Sequence, residues 1–172
     1  MSEHVVTTQA EYDKANPHRG DTVYLDSDED FTITGTARPL LVVRGAYAPT
    51  IYTRGSSSPT IYTRGSSSPT IDTWDSSSPT IYTWDSSSPT IDTWDSSSPT
   101  IYTRGSSSPT IDTWDSSSPT IYTWDSSSPT IDTWDSSSPT IVGHRVQTEP
   151  ETVDRIAELV GKLQALVDEY AA

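Results

Sequence analysis

Residues 61–100 recur without a change as residues 101–140, and the chain from Thr50 to Pro139 is nine decapeptides of the form Thr-Ile-(Tyr/Asp)-Thr-(Arg/Trp)-(Gly/Asp)-Ser-Ser-Ser-Pro. Self-similarity at a short fixed period is the mark of a solenoid, in which each unit is buried only by its neighbours. Ten residues are too few for a helical repeat, and collagen or polyproline geometry needs Gly or Pro about every third position. Within a decad, Thr50-Ile51-Tyr52-Thr53-Arg54 carries β-branched and aromatic residues, and Gly55-Ser56-Ser57-Ser58-Pro59 carries turn formers. Each decad is therefore one short strand and one turn. A closed coil needs two strands and two turns, which predicts about twenty residues per coil with parallel strands stacked at roughly 4.8 Å.

Strand alternation decides which side chains face inward. Ile51 and Thr53 share one face, and Thr50, Tyr52 and Arg54 share the other. Position 52 and its equivalents hold Tyr or Asp, and position 54 holds Arg or Trp, so no core accommodates that second set. Ile91→Asp is then expected to unfold several coils and the outward Asp92→Asn to be nearly silent. Gly accompanies Arg and Asp accompanies Trp at the sixth position, two residue types that tolerate left-handed turn geometry.

Laying decads alternately on two faces gives one column of Tyr62, Tyr82, Tyr102 and Tyr122 beside Arg64, Trp84, Arg104 and Trp124. The opposite face stacks Asp72, Asp92, Asp112 and Asp132 beside Trp74, Trp94, Trp114 and Trp134, with Tyr52 and Arg54 at its start. A Ser- and Pro-rich chain can also be a disordered stalk. An Ile at every tenth position argues against that. Nine interior Ile form a thin core, so backbone ladders and stacked Ser and Thr must contribute much of the stability, or another chain must.

Three segments follow: a cap over residues 1–49, the repeat over 50–142, and a terminal segment over 143–172. In the first, Thr8-Gln9-Ala10-Glu11 is a capping box opening a short helix that stops before Pro17, and Thr22–Leu25, Phe31–Thr34 and Leu40–Arg44 read as strands. In the last, Thr148-Glu149-Pro150-Glu151 is a second capping box. Val153, Ile156, Val160, Leu163, Val167 and Tyr170 follow at spacings of three and four, a heptad seam that suits either a lid on the last coil or a self-association helix. The expected fold class is thus all-β with terminal helices: a parallel β-solenoid, capped N-terminally and followed by a C-terminal α-helix.

A net charge of -14 argues against nucleic acid and anionic membrane surfaces as partners. The chain has no Cys, which excludes disulfides and thiolate metal sites. Met1-Ser2-Glu3-His4 opens acidic and polar, so neither a signal peptide nor a spanning helix is expected, and the location implied is the cytoplasm or a particle assembled there. Arg19-Gly20-Asp21 matches an integrin-type tripeptide by chance alone.

Val6-Thr7-Thr8-Gln9-Ala10-Glu11-Tyr12-Asp13, followed by short strands and stacked Thr-Ile-Tyr-Thr-Arg-Gly-Ser-Ser and Thr-Ile-Asp-Thr-Trp-Asp-Ser-Ser units, resembles the β-helical repeat proteins of actinobacteria and their phages. The resemblance spans about residues 5–140 and implies the solenoid fold and a phage-particle association; it implies no catalytic residues. That family's units are commonly shorter than ten residues, so the Ser-Pro extension is a departure. The exact duplication reads as recent, or as engineering on such a scaffold.

No enzyme, metal or cofactor is expected. His4, His18 and His144 lie outside the repeats, with no nucleophile pattern beside them. The recurring pairs such as Asp72 and Asp75 match no known calcium loop. The two Thr of a decad, such as Thr50 and Thr53, are three apart, so the strand itself does not present the paired outward Thr rows of ice-binding solenoids. The aromatic columns suit packing against another copy or stacking of sugar rings. The expected function is a noncatalytic structural solenoid that associates with itself, with ice binding, ice nucleation or carbohydrate binding as the alternative class.

Overall fold

The structure is a computed structural model that describes residues 2–34 and 39–143. The strands are β1 (Glu3–Val6), β2 (Thr22–Leu25), β3 (Phe31–Ile33), β4 (Leu40–Val43), β5 (Thr50–Thr53), β6 (Thr60–Thr63) and β7 (Thr70–Thr73). They continue as β8 (Thr80–Thr83), β9 (Thr90–Thr93), β10 (Thr100–Thr103), β11 (Thr110–Thr113), β12 (Thr120–Thr123), β13 (Thr130–Thr133) and β14 (Thr140–Gly143). One helix, α1 (Gln9–Ala15), lies between β1 and β2. Even-numbered strands and β1 form an eight-stranded parallel sheet, β1-β2-β4-β6-β8-β10-β12-β14. The odd-numbered strands form a six-stranded one, β13-β11-β9-β7-β5-β3. The chain crosses from one sheet to the other with every decad, so it is a parallel β-solenoid of about seven coils.

Register confirms the coil length: Tyr82 lies opposite Tyr102 and Asp92 opposite Asp112, each twenty residues on. The eight-stranded ladder runs from β1 into the repeat without a break, so residues before Thr50 supply the first coils.

Ile51 and its equivalents through Ile121 are fully buried, and so are Thr53 through Thr113 at the second inward position. The turn contributes as well, because Ser57, Pro59 and their equivalents also face inward. Each interior Thr hydroxyl reaches the interior Ser of the following coil: Thr73 to Ser97 at 3.1 Å, Thr93 to Ser117 at 3.0 Å, Thr113 to Ser137 at 2.9 Å. This ladder satisfies hydroxyls that would each cost about 1–3 kcal/mol if buried alone.

Ser57 and Ser67 are the exceptions, buried with no hydrogen-bond partner. The position twenty-four residues upstream holds Ile33 or Val43 where later coils hold Thr. Val43→Thr is nearly isosteric and supplies Ser67 with its missing partner. Its expected effect is a melting temperature equal to or above the parent's, whereas Val23→Thr, in an apolar setting, should cost about 1–2 kcal/mol.

Six non-Gly residues in the turns, Asp75, Asp85, Asp95, Asp115, Asp125 and Asp135, have φ between 56° and 61°. Their carboxylates serve a second purpose. Oδ2 of Asp75 accepts from the Gly55 N–H at 2.9 Å, and Oδ2 of Asp95 accepts from the Asp75 N–H at 3.2 Å, linking successive turns.

The N-terminal end is closed. Thr8 caps α1 by accepting from the Glu11 N–H at 3.2 Å, and Asn16 ends it in the left-handed region at φ 44°. Glu11 departs from the expected capping box, since its carboxylate accepts from the Thr7 N–H at 2.7 Å. Tyr12 packs edge-on against Phe31, with ring centroids 6.5 Å apart. The Gln9 amide binds the outer edge of β3 as a strand would, accepting from the Thr32 N–H at 2.7 Å and donating to the Thr32 carbonyl at 3.3 Å. The C-terminal helix expected over Val153 to Tyr170 lies outside the described residues.

Candidate functional surface

The outward columns stand where alternation puts them. Tyr62, Tyr82, Tyr102 and Tyr122 stack with centroids 4.6, 4.8 and 4.9 Å apart and planes within 10° of parallel. Trp74, Trp94, Trp114 and Trp134 stack at 5.0, 5.0 and 4.9 Å, within 8°. Trp84 and Trp124 alternate with Arg in their row and meet the Tyr column edge-on, at 5.9 Å from Tyr62 and 6.3 Å from Tyr102. The Arg104 guanidinium lies 3.9 Å from the Trp124 centroid and that of Arg64 lies 4.9 Å from Trp84. Such contacts contribute about 0.5–1.5 kcal/mol each beyond area burial.

Ring orientation decides what the columns can do. A sugar stacks on an open ring face, but each interior ring here gives both faces to its neighbours and only its edge to solvent. Arg54 stands 5.8 Å from the Trp74 centroid at the start of that column. Trp134, at the other end, is 50% exposed. The columns are thus internal struts laid on the outside of the fold, and their apolar surface is largely spent on themselves.

The Asp column behaves differently from a solvated row. Asp92 is half-buried between Asp72 and Asp112 at one rung on either side. Burial first, and then the charges of Asp72 and Asp112, push its carboxyl from the ordinary 3.8 up to about 6. Burial raises Asp72 and Asp112 as well, with Arg54 opposing the rise at Asp72. The half-buried setting of Asp92 gives Asp92→Asn a different expected outcome from the near silence that strand alternation alone predicts. The native state holds this proton more tightly than the unfolded chain, so the contribution of Asp92 to stability is greatest below about pH 4 and is lost as pH rises through about 6. At pH 7 Asp92→Asn should raise stability by about 1 kcal/mol after allowing for solvent screening of the exposed half, and at pH 4 the gain should vanish. Urea titrations of both proteins at the two pH values check this. Glu11 and Asp21, held low by backbone N–H groups, act in the opposite sense at acid pH and cancel in the comparison.

A second outward feature was not legible in the strand pattern. Pro59, Pro79, Pro99 and Pro119 point inward, so Ser-Pro-Thr places two hydroxyls outward on either side of each Pro. Thr60, Thr80, Thr100 and Thr120 stand in parallel register, with Ser58, Ser78, Ser98 and Ser118 beside them. An open groove of about 580 Å³ over this array is lined by Ser58, Thr60, Ser78, Thr80 and Tyr62, with Arg19 at its N-terminal end.

Among the described residues no group of three or more His, Cys, Asp or Glu side chains is placed to hold a metal ion. No helix of the described residues is long and apolar enough to cross a membrane. No family model, curated protein or solved structure matches the chain. The fold alone defines the class, a parallel β-solenoid built from a decapeptide.

Proposed function

We propose that this chain is a noncatalytic structural rod whose copies associate with one another. The observation that carries the reading is where apolar surface remains exposed. Ring faces along the columns are covered by stacking, and among the described residues three of the five large exposed hydrophobic residues lie at one end, Trp134 in the turn after β13 and Ile141 and Val142 in β14. The repeated groups among the described residues are spread evenly along the stack, as befits a strut. Sedimentation of the full chain at tens of micromolar tests it, in the range where weak oligomers form. More than one chain per particle is expected; a monomer at that concentration overturns the reading.

Ice binding is the second reading, and the Ser-Pro-Thr rows favour it over carbohydrate binding. Two hydroxyl rows two residues apart repeat at each rung on a rigid backbone, an arrangement suited to ordering water. Thermal hysteresis and freezing onset of the full chain, against a Thr80→Lys, Thr100→Lys variant, test it: hysteresis lost in the variant supports the reading, and no hysteresis in the parent removes it.

A further inference from the structure

The two ends of the solenoid are unlike. At the N-terminal end the Gln9 amide occupies the edge of β3, Tyr12 covers Phe31, and β1 presents a short edge bearing Glu3 and His4. At the other end β13 and β14 each pair on one side only among the described residues. Ile141 is 56% exposed and Val142 41%, whereas Ile51 through Ile121 are fully buried.

We propose that this open end is an isologous docking surface for a second copy of the chain, which closes the assembly at two. The inference rests on the self-association reading and names its surface and symmetry. Edge backbone groups need strand partners, and the same end of another copy offers them, with coils of matching dimensions. Head-to-tail growth finds a partner in only one of the two sheets, because β1 offers a free edge to β14 whereas the N-terminal edge of the six-stranded sheet is already taken by Gln9. A two-fold axis at the open end runs β14 antiparallel to its counterpart, sets Ile141 and Val142 against their copies, and turns the free side of Trp134 towards the partner.

The rest of the chain leaves from the same place. Residues 144–172 follow β14 directly and carry the seam Val153, Ile156, Val160, Leu163, Val167 and Tyr170. An apolar seam covers side chains but gives no backbone groups to a sheet edge. A strand partner for the β14 edge is thus supplied by the neighbouring copy.

Sedimentation equilibrium of the full chain over a wide concentration range tests the proposal, together with Ile141→Lys and Trp134→Ser, both at exposed positions, and with single spin labels on Ser138→Cys and Glu29→Cys. The chain has no native Cys to interfere. The expected particle has twice the 18.8 kDa chain mass and grows no further. Ile141→Lys should halve that mass with an unchanged far-ultraviolet spectrum. Ser138 labels should lie roughly 20–25 Å apart, at opposite ends of the antiparallel β14 pair, and Glu29 labels on the order of 60 Å apart, near the far ends of two stacks. A mass that keeps rising with concentration overturns closure and leaves self-association standing. A dimer that survives both substitutions overturns the surface and also leaves self-association standing. A monomeric parent, with residues 144–172 serving as a lid on their own solenoid, overturns both.

Discussion

Ile91→Asp is expected to destabilise the chain by at least about 5 kcal/mol and to abolish cooperative unfolding of the central coils. Ile91 is fully buried, with Ile71 and Ile111 one rung away on either side. The substitution removes about 2–3 kcal/mol of apolar burial and places a carboxyl where no donor waits. Protonation limits the cost of the charge but not the loss of packing. A solenoid is stabilised mainly by neighbour contacts, so a failed rung uncouples the coils on both sides of it. Ile91→Val, by contrast, should cost about 1 kcal/mol. Urea denaturation followed by far-ultraviolet circular dichroism separates the two. Parent-like stability in Ile91→Asp means that the Ile column is not the core.

Gly105→Val carries the second large effect, a loss of about 3 kcal/mol. Gly105 has φ of 68°, and an added Cβ meets the backbone N and O of Asp85 at 3.2 Å. Left-handed geometry costs an ordinary residue about 1–2 kcal/mol, and a β-branched side chain adds crowding to that. Gly105→Asp should behave in the opposite way. Asp adopts this geometry at six equivalent turns, and its carboxylate would accept from the Asp85 N–H as Asp95 accepts from Asp75. Stability equal to or above the parent's is expected, read from paired thermal melts. Equal damage from both substitutions would show that space alone, and not turn chemistry, governs the site.

Much of this fold was legible because the decad repeats its errors and its rules alike. Tyr and Asp cannot share a core position, so the inward set reduced to Ile and Thr, and alternation of Tyr and Asp decads gave the two-faced coil. Thr8 and Pro17 likewise bracketed α1, which the structure places at Gln9–Ala15. Other features carried no local signal. Strand β1 has only Val6 buried, too little pattern to announce a strand. Ser57 and Pro59 sit among turn formers, where alternation is not expected, and their inward direction follows from ladders to the neighbouring coil.

The surface was legible in position and not in behaviour. Sequence placed the rings outside, but whether they lie flat or stand on edge depends on rung spacing, and the interior rings of each column stack face to face. The same spacing explains Asp92. Its raised proton affinity comes first from burial on the stacked face and then from Asp72 and Asp112 one rung away, both twenty residues distant in the chain.

The two-decad coil is tested most directly by disulfide trapping in this cysteine-free chain. Ser76, Ser86 and Ser96 are exposed turn residues, so cysteines there leave the core untouched. Residues one coil apart stand at the rung spacing of about 4.8 Å, inside the range of Cα separations that a disulfide spans. Under mild oxidation Ser76→Cys with Ser96→Cys should cross-link rapidly within one chain. Ser76→Cys with Ser86→Cys, on opposite turns, should stay reduced. Preferential bridging of the ten-residue pair would contradict the twenty-residue coil and every column built upon it.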